Sequence, residues 1–599
     1  MKSVELIRTL QTYTGEKKTN LLEKLRQSGA EYNIFPLSYE QERMLFLQKY
    51  LENPSVYNCS FFISVETKDE LDLLEKAIHI LVERHEILRT LFFSIDGIYF
   101  QTICKRGEYE VQSHEEDLSG IYIGDKDEYN SFLEEYTNIP FDFSCELPIR
   151  LLKIKQANNM FSMIITLHHA AVDGWSVGIL QSELNAIYAA LVNNQDVDLK
   201  EIPYKYVDYA SWQKSDAYKE LSKGMLSFWK EYLKDANYKL NYPIEFLAEK
   251  NQKLKCDGIE VTIDADLAKK IRDWINEQKI SMFNLMLSVY YMALYEFTGD
   301  DNISIGTPAA NRNRLEFMDV FGYFANTVVI NDVRNEILSF EEYVMSVEEN
   351  AYKVFANQEL PFHILVSEFR GDDNGADASL FQTMFSVQNE ALIHKGNRAS
   401  NVEKLQIGQL GRQQAIEYPM ILSVIDSKEK LQITLSYHTS KFSERRMHAF
   451  LKGMEELLLQ IMENDKLAIS EYQSESIQKD LKQYGRLSKT DENIEIEEQI
   501  IPDNSFPDIC EKVIDIWVDI IGNNEINEDD KFFQVGGNSI KAISVMDRIN
   551  ETFDINIKIE DLFRYTTVKA MAGLINQKAN YVKNELNESN MEDTIFEEF

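Results

Sequence analysis

A large mixed α/β (α+β) body followed by a small all-helical domain is the fold class that this sequence predicts. Three observations predict it. From about residue 31 to 470, apolar and polar segments alternate densely without a long polar break, as strands and helices packed on one another require. From Glu471 to Phe506 the chain turns polar, charged and poor in periodic apolar positions, which suits a solvated connector over 471–506. Beyond it, apolar residues recur at helical spacing. The chain has 599 residues, 44% of them hydrophobic and 27% charged, so more than one domain is expected.

Charge and cysteines narrow the function classes. Sixty-two Lys and Arg against ninety-nine Asp and Glu give a net charge of −37, which repels a polyanion, so no nucleic-acid partner is expected. Cys59, Cys104, Cys145, Cys256 and Cys510 are scattered, odd in number and without metal-ligand spacing; a reduced cytoplasm and no metal are expected. The start, MKSVELIRTL, lacks an apolar signal core. The longest near-apolar run, Met282 to Leu294, contains Asn284 and Ser288 and is too short to span a bilayer, so no membrane partner is expected.

Along the chain, residues 1–30 read as a Lys-rich helical segment suited to docking. The run Met160 to Leu167 (MFSMIITL) reads as a buried strand that delivers HHAAVDGWS at its end, and VGILQSELNAIYAALV continues as a helix. In the C-terminal region Pro507 and Asp508 open a helix with Ile509, Val513, Ile514, Trp517, Ile520 and Ile521 on its apolar positions. Gly536, Gly537, Asn538 and Ser539 precede a second series, Ile540, Ile543, Met546 and Ile549; together they predict a small bundle over 507–580 and an acidic tail over 581–599.

Chemistry concentrates in two places. At the first, His168 and His169 stand at a strand end with Asp173 and Gly174 just beyond, so that one imidazole can face a substrate while the carboxylate fixes the local backbone or ring. The bland alternative is a histidine pair satisfied within a core. Gly174 to Gly178, GWSVG, also matches the GxSxG nucleophile elbow, which would make Ser176 an acyl nucleophile. That elbow needs its serine directly between strand and helix, whereas here HHAAVD intervenes; Ser176 is expected to cap the following helix instead. The histidines at 79, 85, 114, 363, 394, 438 and 448 stand alone and are assigned no chemistry.

HHAAVDGWS resembles the HHxxxDG signature of condensation domains and, more widely, of HxxxD acyltransferases. PLSYEQERMLFL (Pro36 to Leu47), RHEILRTLF (Arg84 to Phe92), YVDYASWQ (Tyr206 to Gln213), IGTPAANRNR (Ile305 to Arg314), FGYFANTVVI (Phe321 to Ile330) and NQELPFHILV (Asn357 to Val366) are similar to the family's other blocks, in its order. The resemblance implies two chloramphenicol-acetyltransferase-like lobes forming a V-shaped pseudo-dimer, an N-lobe over about 31–205 and a C-lobe over about 206–470. His169 would sit midway along a tunnel through the seam. It implies aminolysis of a donor thioester by an acceptor amine, with His169 taking the proton or placing the nucleophile. Asp173 would be structural, paired with Arg312, and the Gly174 amide a candidate oxyanion donor. His168 with His169 argues against heterocyclising relatives, and Gly174-Trp175-Ser176 follows the bond-forming rather than the epimerising order. RHEILRT leans toward an L-configured donor. Glu417-Tyr418-Pro419-Met420 departs from the family pattern near the segment that crosses between lobes.

DKFFQVGGNS (Asp530 to Ser539) resembles the carrier-protein signature FFxxGGxS, which implies 4′-phosphopantetheine attached to Ser539. A helix N-terminus suits the phosphodiester, and paired glycines allow a transferase to approach. The chain shows neither an adenylating phosphate loop nor a Walker motif, so an adenylating enzyme acting in trans is expected to load the carrier, alongside a phosphopantetheinyl transferase and an upstream carrier chain as partners. Two other readings stand beside the condensation unit: a serine hydrolase using Ser176, and an inactive docking platform of the same fold.

Overall fold

In the computed structural model the described residues are 7, 10, 33–50, 54–95, 98–120, 126–156, 160–246, 256–369, 379–389, 405, 408–409, 418–427, 430–485, 507–523, 525–532, 535, 539–553, 555–557, 561–562 and 565–578. The expected acidic tail, the glycine pair before Ser539 and most of the N-terminal segment lie outside them; Ile7 and Leu10 are helical and buried in the first core.

The N-lobe holds β1 (Ile34–Pro36), α1 (Tyr39–Tyr50), β2 (Asn58–Val65), α2 (Lys68–Arg84), β3 (Thr90–Ile95), β4 (Ile98–Ile103), β5 (Gln112–Asp117), α3 (Lys126–Thr137), β6 (Ile149–Lys155), β7 (Phe161–His168) and α4 (Gly174–Val192). Strand β7 is buried along almost its whole length because both sheet faces are covered. Met163, Ile165 and Leu167 join the core under α2 and α4, while Ile164, with Leu152 and Ile154 of β6, packs on Leu133 of α3. Helix α2 starts where Thr67 and Glu70 form a capping box. Arg84 and His85 at its end both bind Glu183 of α4, at 3.0 and 2.7 Å, which ties the two helices together.

Helices α5 (Tyr206–Gln213) and α6 (Asp216–Tyr232) lead into the C-lobe: β8 (Cys256–Thr262), α7 (Ala265–Gln278), α8 (Met282–Thr298), β9 (Asn302–Ala309), β10 (Asn326–Val333), α9 (Phe340–Ala356), α10 (Phe362–Phe369), β11 (Thr383–Asn389), β12 (Gly408–Gln409), β13 (Met420–Asp426), β14 (Leu431–His438) and α11 (Glu444–Glu463). Its sheet runs β10-β9-β11-β13-β14-β8, and the N-lobe sheet runs β12-β2-β7-β6-β5. In both, an antiparallel trio (β2-β7-β6, β8-β14-β13) continues into a parallel partner, β5 or β11. The two lobes therefore repeat one plan, as the pseudo-dimer expectation requires. Strand β12, though C-lobe chain, pairs with Phe61 and Phe62 of β2 and crosses the seam. The near-apolar run from Met282 is α8, capped by Ser281, ended by Gly299 at φ 74°, and buried all round in the C-lobe core.

One expectation is corrected. Polar composition suggested a connector starting at 471, yet α12 (Glu475–Tyr484) is an amphipathic helix packed on the body: Ile477 is buried, and Asp480 accepts from Arg446 at 2.7 Å. Its exposed side is polar and its buried side narrow, which hid it from a reading of composition. Residues 486–506 lie outside the described residues.

The carrier region contains α13 (Pro507–Ile521), α14 (Ser539–Phe553) and a closing helix over 568–578. Val513, Trp517, Phe532, Val545, Ile549, Leu562 and Ile575 form its separate core, with Trp517 edge-on to Phe532 at 5.0 Å. Among the described residues no helix is long and apolar enough to cross a membrane, and no group of three metal-ligating side chains occurs.

Candidate active site and carrier attachment site

The site begins where β7 ends. The chain turns sharply after His168, the Ala171 amide donating to the His168 carbonyl at 2.9 Å, and α4 starts at Gly174. This turn sends the two histidines in different directions. His168, the last residue of β7, is fully buried; its Nδ1 accepts from the Ala170 amide at 3.0 Å, and Phe141, Phe143 and Tyr57 meet its ring edge-on. His168, one of the two imidazoles offered as candidate catalytic groups at the strand end, is thereby corrected to a core residue, because its ring faces packed aromatics and has no surface left for a substrate.

His169 keeps partial exposure although it is crowded by neighbouring atoms. Its amide donates to the Tyr57 carbonyl at 2.9 Å, its Nδ1 faces the Val172 carbonyl at 2.9 Å, and its ring lies 5.9 Å from that of Tyr323. The carbonyl cannot donate, so Nδ1 carries the proton and Nε2 is the working nitrogen. Burial pulls the pKa of the imidazolium down, but Cys59, through its charge and its hydrogen bond, with the Val172 carbonyl and the Asp173 carboxylate, outweighs it and raises the pKa from 6.5 to about 9.

Asp173 and Arg312 form the joint between lobes. Asp173 is the N-cap of α4, accepting from the Ser176 amide at 2.8 Å, and it also accepts from the Phe324 amide at 3.0 Å. Arg312 reaches across from the loop after β9 with Nη2 at 3.2 and 3.3 Å from the two carboxylate oxygens, while Nη1 donates to the carbonyls of Phe317 and Val320. Both side chains are almost wholly buried, 1% and 2% exposed, so each charge depends on the other.

Ser176 belongs to this joint. Its hydroxyl donates to the Gly322 carbonyl at 2.8 Å and accepts from Arg312 at 2.9 Å and from the Gly322 amide at 3.1 Å, all at zero exposure. This overturns the serine-hydrolase reading, since the hydroxyl is fully bonded and out of reach of any substrate. The cap of α4 is Asp173, not Ser176. Gly322 must be glycine: a Cβ there would run into the Tyr206 ring.

The ordered blocks of the sequence meet at the same seam. Glu40 of α1 accepts from Gln213 and Tyr209 of α5, with burial pushing its carboxyl up to about 7. Asn311 donates its side-chain amide to the Tyr209 hydroxyl at 3.1 Å and its backbone amide to the Gln358 side-chain oxygen at 3.0 Å, while Asn326 donates to the carbonyls of Gln358 and Leu360. Gly174 is exposed, and a Cβ built there meets nothing within 4 Å. Sequence reading missed Tyr323, Gly322 and Cys59. Cys59 carries no local signal; only the register of β2 against β7 places it beside the histidine.

In the carrier region, Ser539 is the first residue of the 15-residue helix α14, whose leading amides and positive end fit a phosphodiester. Helix α14 lies against α1 of the N-lobe; burial, and after it the charge of Asp547 on α14, pushes the Tyr99 phenol of β4 up to about 12.

An imidazole at a two-lobe seam, followed in the chain by a serine-headed carrier helix, defines an acyltransferase coupled to a carrier. The chain belongs to the condensation-domain family: the family model of the condensation domain matches residues 31–482, and that of the phosphopantetheine attachment site matches residues 511–575. It is thus a condensation and carrier unit of the nonribosomal peptide synthetase type, with 4′-phosphopantetheine as the carrier's cofactor. It is 28% identical over 440 residues to one polypeptide of the linear gramicidin synthase of Brevibacillus parabrevis, covering 73% of this chain and 8% of the relative. With bacitracin synthase 1 of Bacillus licheniformis it shares 25% identity over 468 residues, 78% of this chain and 9% of the relative. The chain therefore spans less than a tenth of those synthases. Among solved structures, holo-AB3403, a four-domain nonribosomal peptide synthetase bound to AMP and glycine, matches with TM-score 0.63 and 20% identity over 82% of this chain and 37% of that one. The condensation domain of the monacolin K polyketide synthase MokA matches with TM-score 0.61 and 18% identity, over 73% of this chain and 99% of that one. A carrier domain of this kind works with a phosphopantetheinyl transferase and with other synthetase domains.

Proposed function

We propose that this chain forms an amide between a donor acyl group, presented as a thioester by an upstream carrier, and an amino group held on its own carrier, with His169 as the central residue. The observation that supports this best is the fixed ring of His169: Nδ1 is held by the Val172 carbonyl, the ring lies beside Tyr323, and the residue keeps partial exposure. In the neutral form of the ring, which the raised pKa confines to the alkaline side of neutrality, Nε2 accepts an N–H of the attacking amine, takes that proton as the carbon–nitrogen bond forms and returns it to the departing thiolate as the carbon–sulfur bond breaks. Asp173 and Arg312 do not touch the reacting atoms; they lock the turn that aims the ring. The exposed Gly174 amide at the positive end of α4 is the donor offered to the developing oxyanion.

4′-Phosphopantetheine on Ser539 would supply a terminal thiol on which the acceptor is carried as a thioester. Loading of the carrier requires an adenylating activity, and the scattered cysteines support a reduced cytoplasm as the setting.

The test is reconstitution. Full-length protein treated with coenzyme A and a phosphopantetheinyl transferase should gain one arm by intact mass, and Ser539→Ala should gain none. With a loaded upstream carrier, wild type should give the extended product and His169→Ala should lose it. An unreactive wild type with a correctly loaded arm would sink this reading and leave a docking platform.

A further inference from the structure

A thiol stands at the reacting imidazole. In the antiparallel pairing of β2 with β7, Asn58 lies opposite His168 and Cys59 opposite Leu167, and the Tyr57 carbonyl just before them receives the His169 amide at 2.9 Å. The bond from the His169 amide to the Tyr57 carbonyl carries this register one step past β7, which sets the partly exposed Cys59 diagonally across from His169, where it acts on the ring by charge and by a side-chain hydrogen bond. Because Nδ1 is engaged by Val172, the nitrogen left for the thiol is Nε2, the atom an acceptor amine needs.

A thiol and an imidazole in contact share one proton, as S–H with a neutral ring or as thiolate with imidazolium, and a nearby base or cation changes the reactivity of both. We propose that Cys59 is a positioning residue for His169: in the resting site it occupies Nε2, and by exchanging a proton with the ring it sets the pH range in which Nε2 is open to an amine. The proposal rests on the reading of His169 given above. Among the described residues, the other charged or titratable groups that act on the ring or touch it are Asp173 at the head of α4, neutralised by Arg312, and the phenol of Tyr323, which itself has Arg43, Tyr57 and Glu40 nearby. Burial alone would lower the pKa of the ring. The charge of Cys59 leads the influences that instead raise it to about 9.

The direct test reads the thiol, not the product. Full-length protein is treated with iodoacetamide from pH 5 to 9, and modification of Cys59, in which sulfur attacks the methylene and iodide leaves, is followed by peptide mass. Wild-type Cys59 should react at neutral pH roughly tenfold faster than Cys59 in His169→Asn, because the imidazole favours the thiolate; the exposed Cys145 should react alike in both. Equal rates at Cys59 would overturn the proposal. A thermal melt of His169→Asn, with His169→Gln as a second variant, guards against loss of fold. The condensation rate against pH, measured with one acceptor throughout, adds a readout that packing alone would not move. Cys59→Ala should shift the acid limb downward by about one pH unit or more, and Cys59→Ser should fall between it and wild type. A uniform loss with an unmoved limb overturns the proposal too. If instead His169→Ala keeps full condensation while the alkylation difference holds, the pairing stands and the catalytic reading of His169 fails.

Discussion

Strands β7 and β14 occupy equivalent places in the two lobes, and their ends can be compared residue by residue. Each closes on a histidine, His168 or His438, whose amide donates at 3.1 Å to a proline carbonyl at the start of the neighbouring strand, Pro148 or Pro419. Each then turns through three residues, the amide of Ala171 or Lys441 returning to the histidine carbonyl. Each turn ends in an N-cap, Asp173 for α4 or Ser443 for α11. The backbone is the same device twice. What differs is the residue at the apex, His169 against Thr439, and the use of the cap. Asp173 binds an arginine from the other lobe, whereas Ser443 binds Glu245 at 2.7 Å, and Arg446 behind it holds α12 through Asp480. One corner closes the seam and offers an imidazole; its twin anchors the end of the domain. The fold supplies the corner, and a handful of side chains supplies the chemistry.

The apex residues should show the largest contrast. His169→Ala is expected to lower the condensation rate by roughly 10²- to 10⁴-fold, the usual worth of a positioned proton-handling group. Thr439→Ala, the same truncation at the matching corner, should leave it within about twofold. Steady-state product formation on the loaded carrier measures both, and comparable losses at the two corners would erase the distinction drawn here.

The caps come next, and their contrast is one of stability. Asp173→Ala removes an N-cap and strands a buried guanidinium, a change expected to cost about 3–5 kcal/mol. Ser443→Ala removes a cap whose other contacts lie nearer solvent, and should cost about 1 kcal/mol. Urea unfolding of the two variants checks the order. Near-equal costs would mean that the C-lobe corner carries as much of the fold as the seam does.

These contrasts also mark how far the sequence could be read. The buried strand ending in HHAAVDGWS, the alternation of the body, the Asp173–Arg312 pairing and the serine-headed helix were legible, because each has a local pattern or a family motif behind it. The division of labour between His168 and His169 follows from the turn, where one step along the chain moves a side chain from an aromatic core to the seam. The Ser176 alternative stayed open because GxSxG fixes a spacing but not an exposure; only the contact with Gly322, far along the chain, shows the hydroxyl enclosed. Helix α12 was lost in a polar string because its buried face is carried by few residues, chiefly Ile477 and Asp480. Cys59 could not be found without the strand register.

The smallest predicted effect tests the open side of the seam corner. Gly174 heads α4 in ordinary backbone geometry, and a methyl added there touches no protein atom within 4 Å. The protein's own packing therefore does not require glycine, unlike at Gly322, where Tyr206 does. Gly174→Ala should leave stability unchanged or raise it by a few tenths of a kcal/mol, since alanine is the better helix former. If the donor carbonyl approaches the helix end to meet the Gly174 amide, the methyl should hinder it and lower kcat by roughly two- to tenfold with the unfolding midpoint preserved. An unchanged kcat would remove Gly174 from the oxyanion role, and the space beside His169 would then be kept open for something other than the reacting carbonyl.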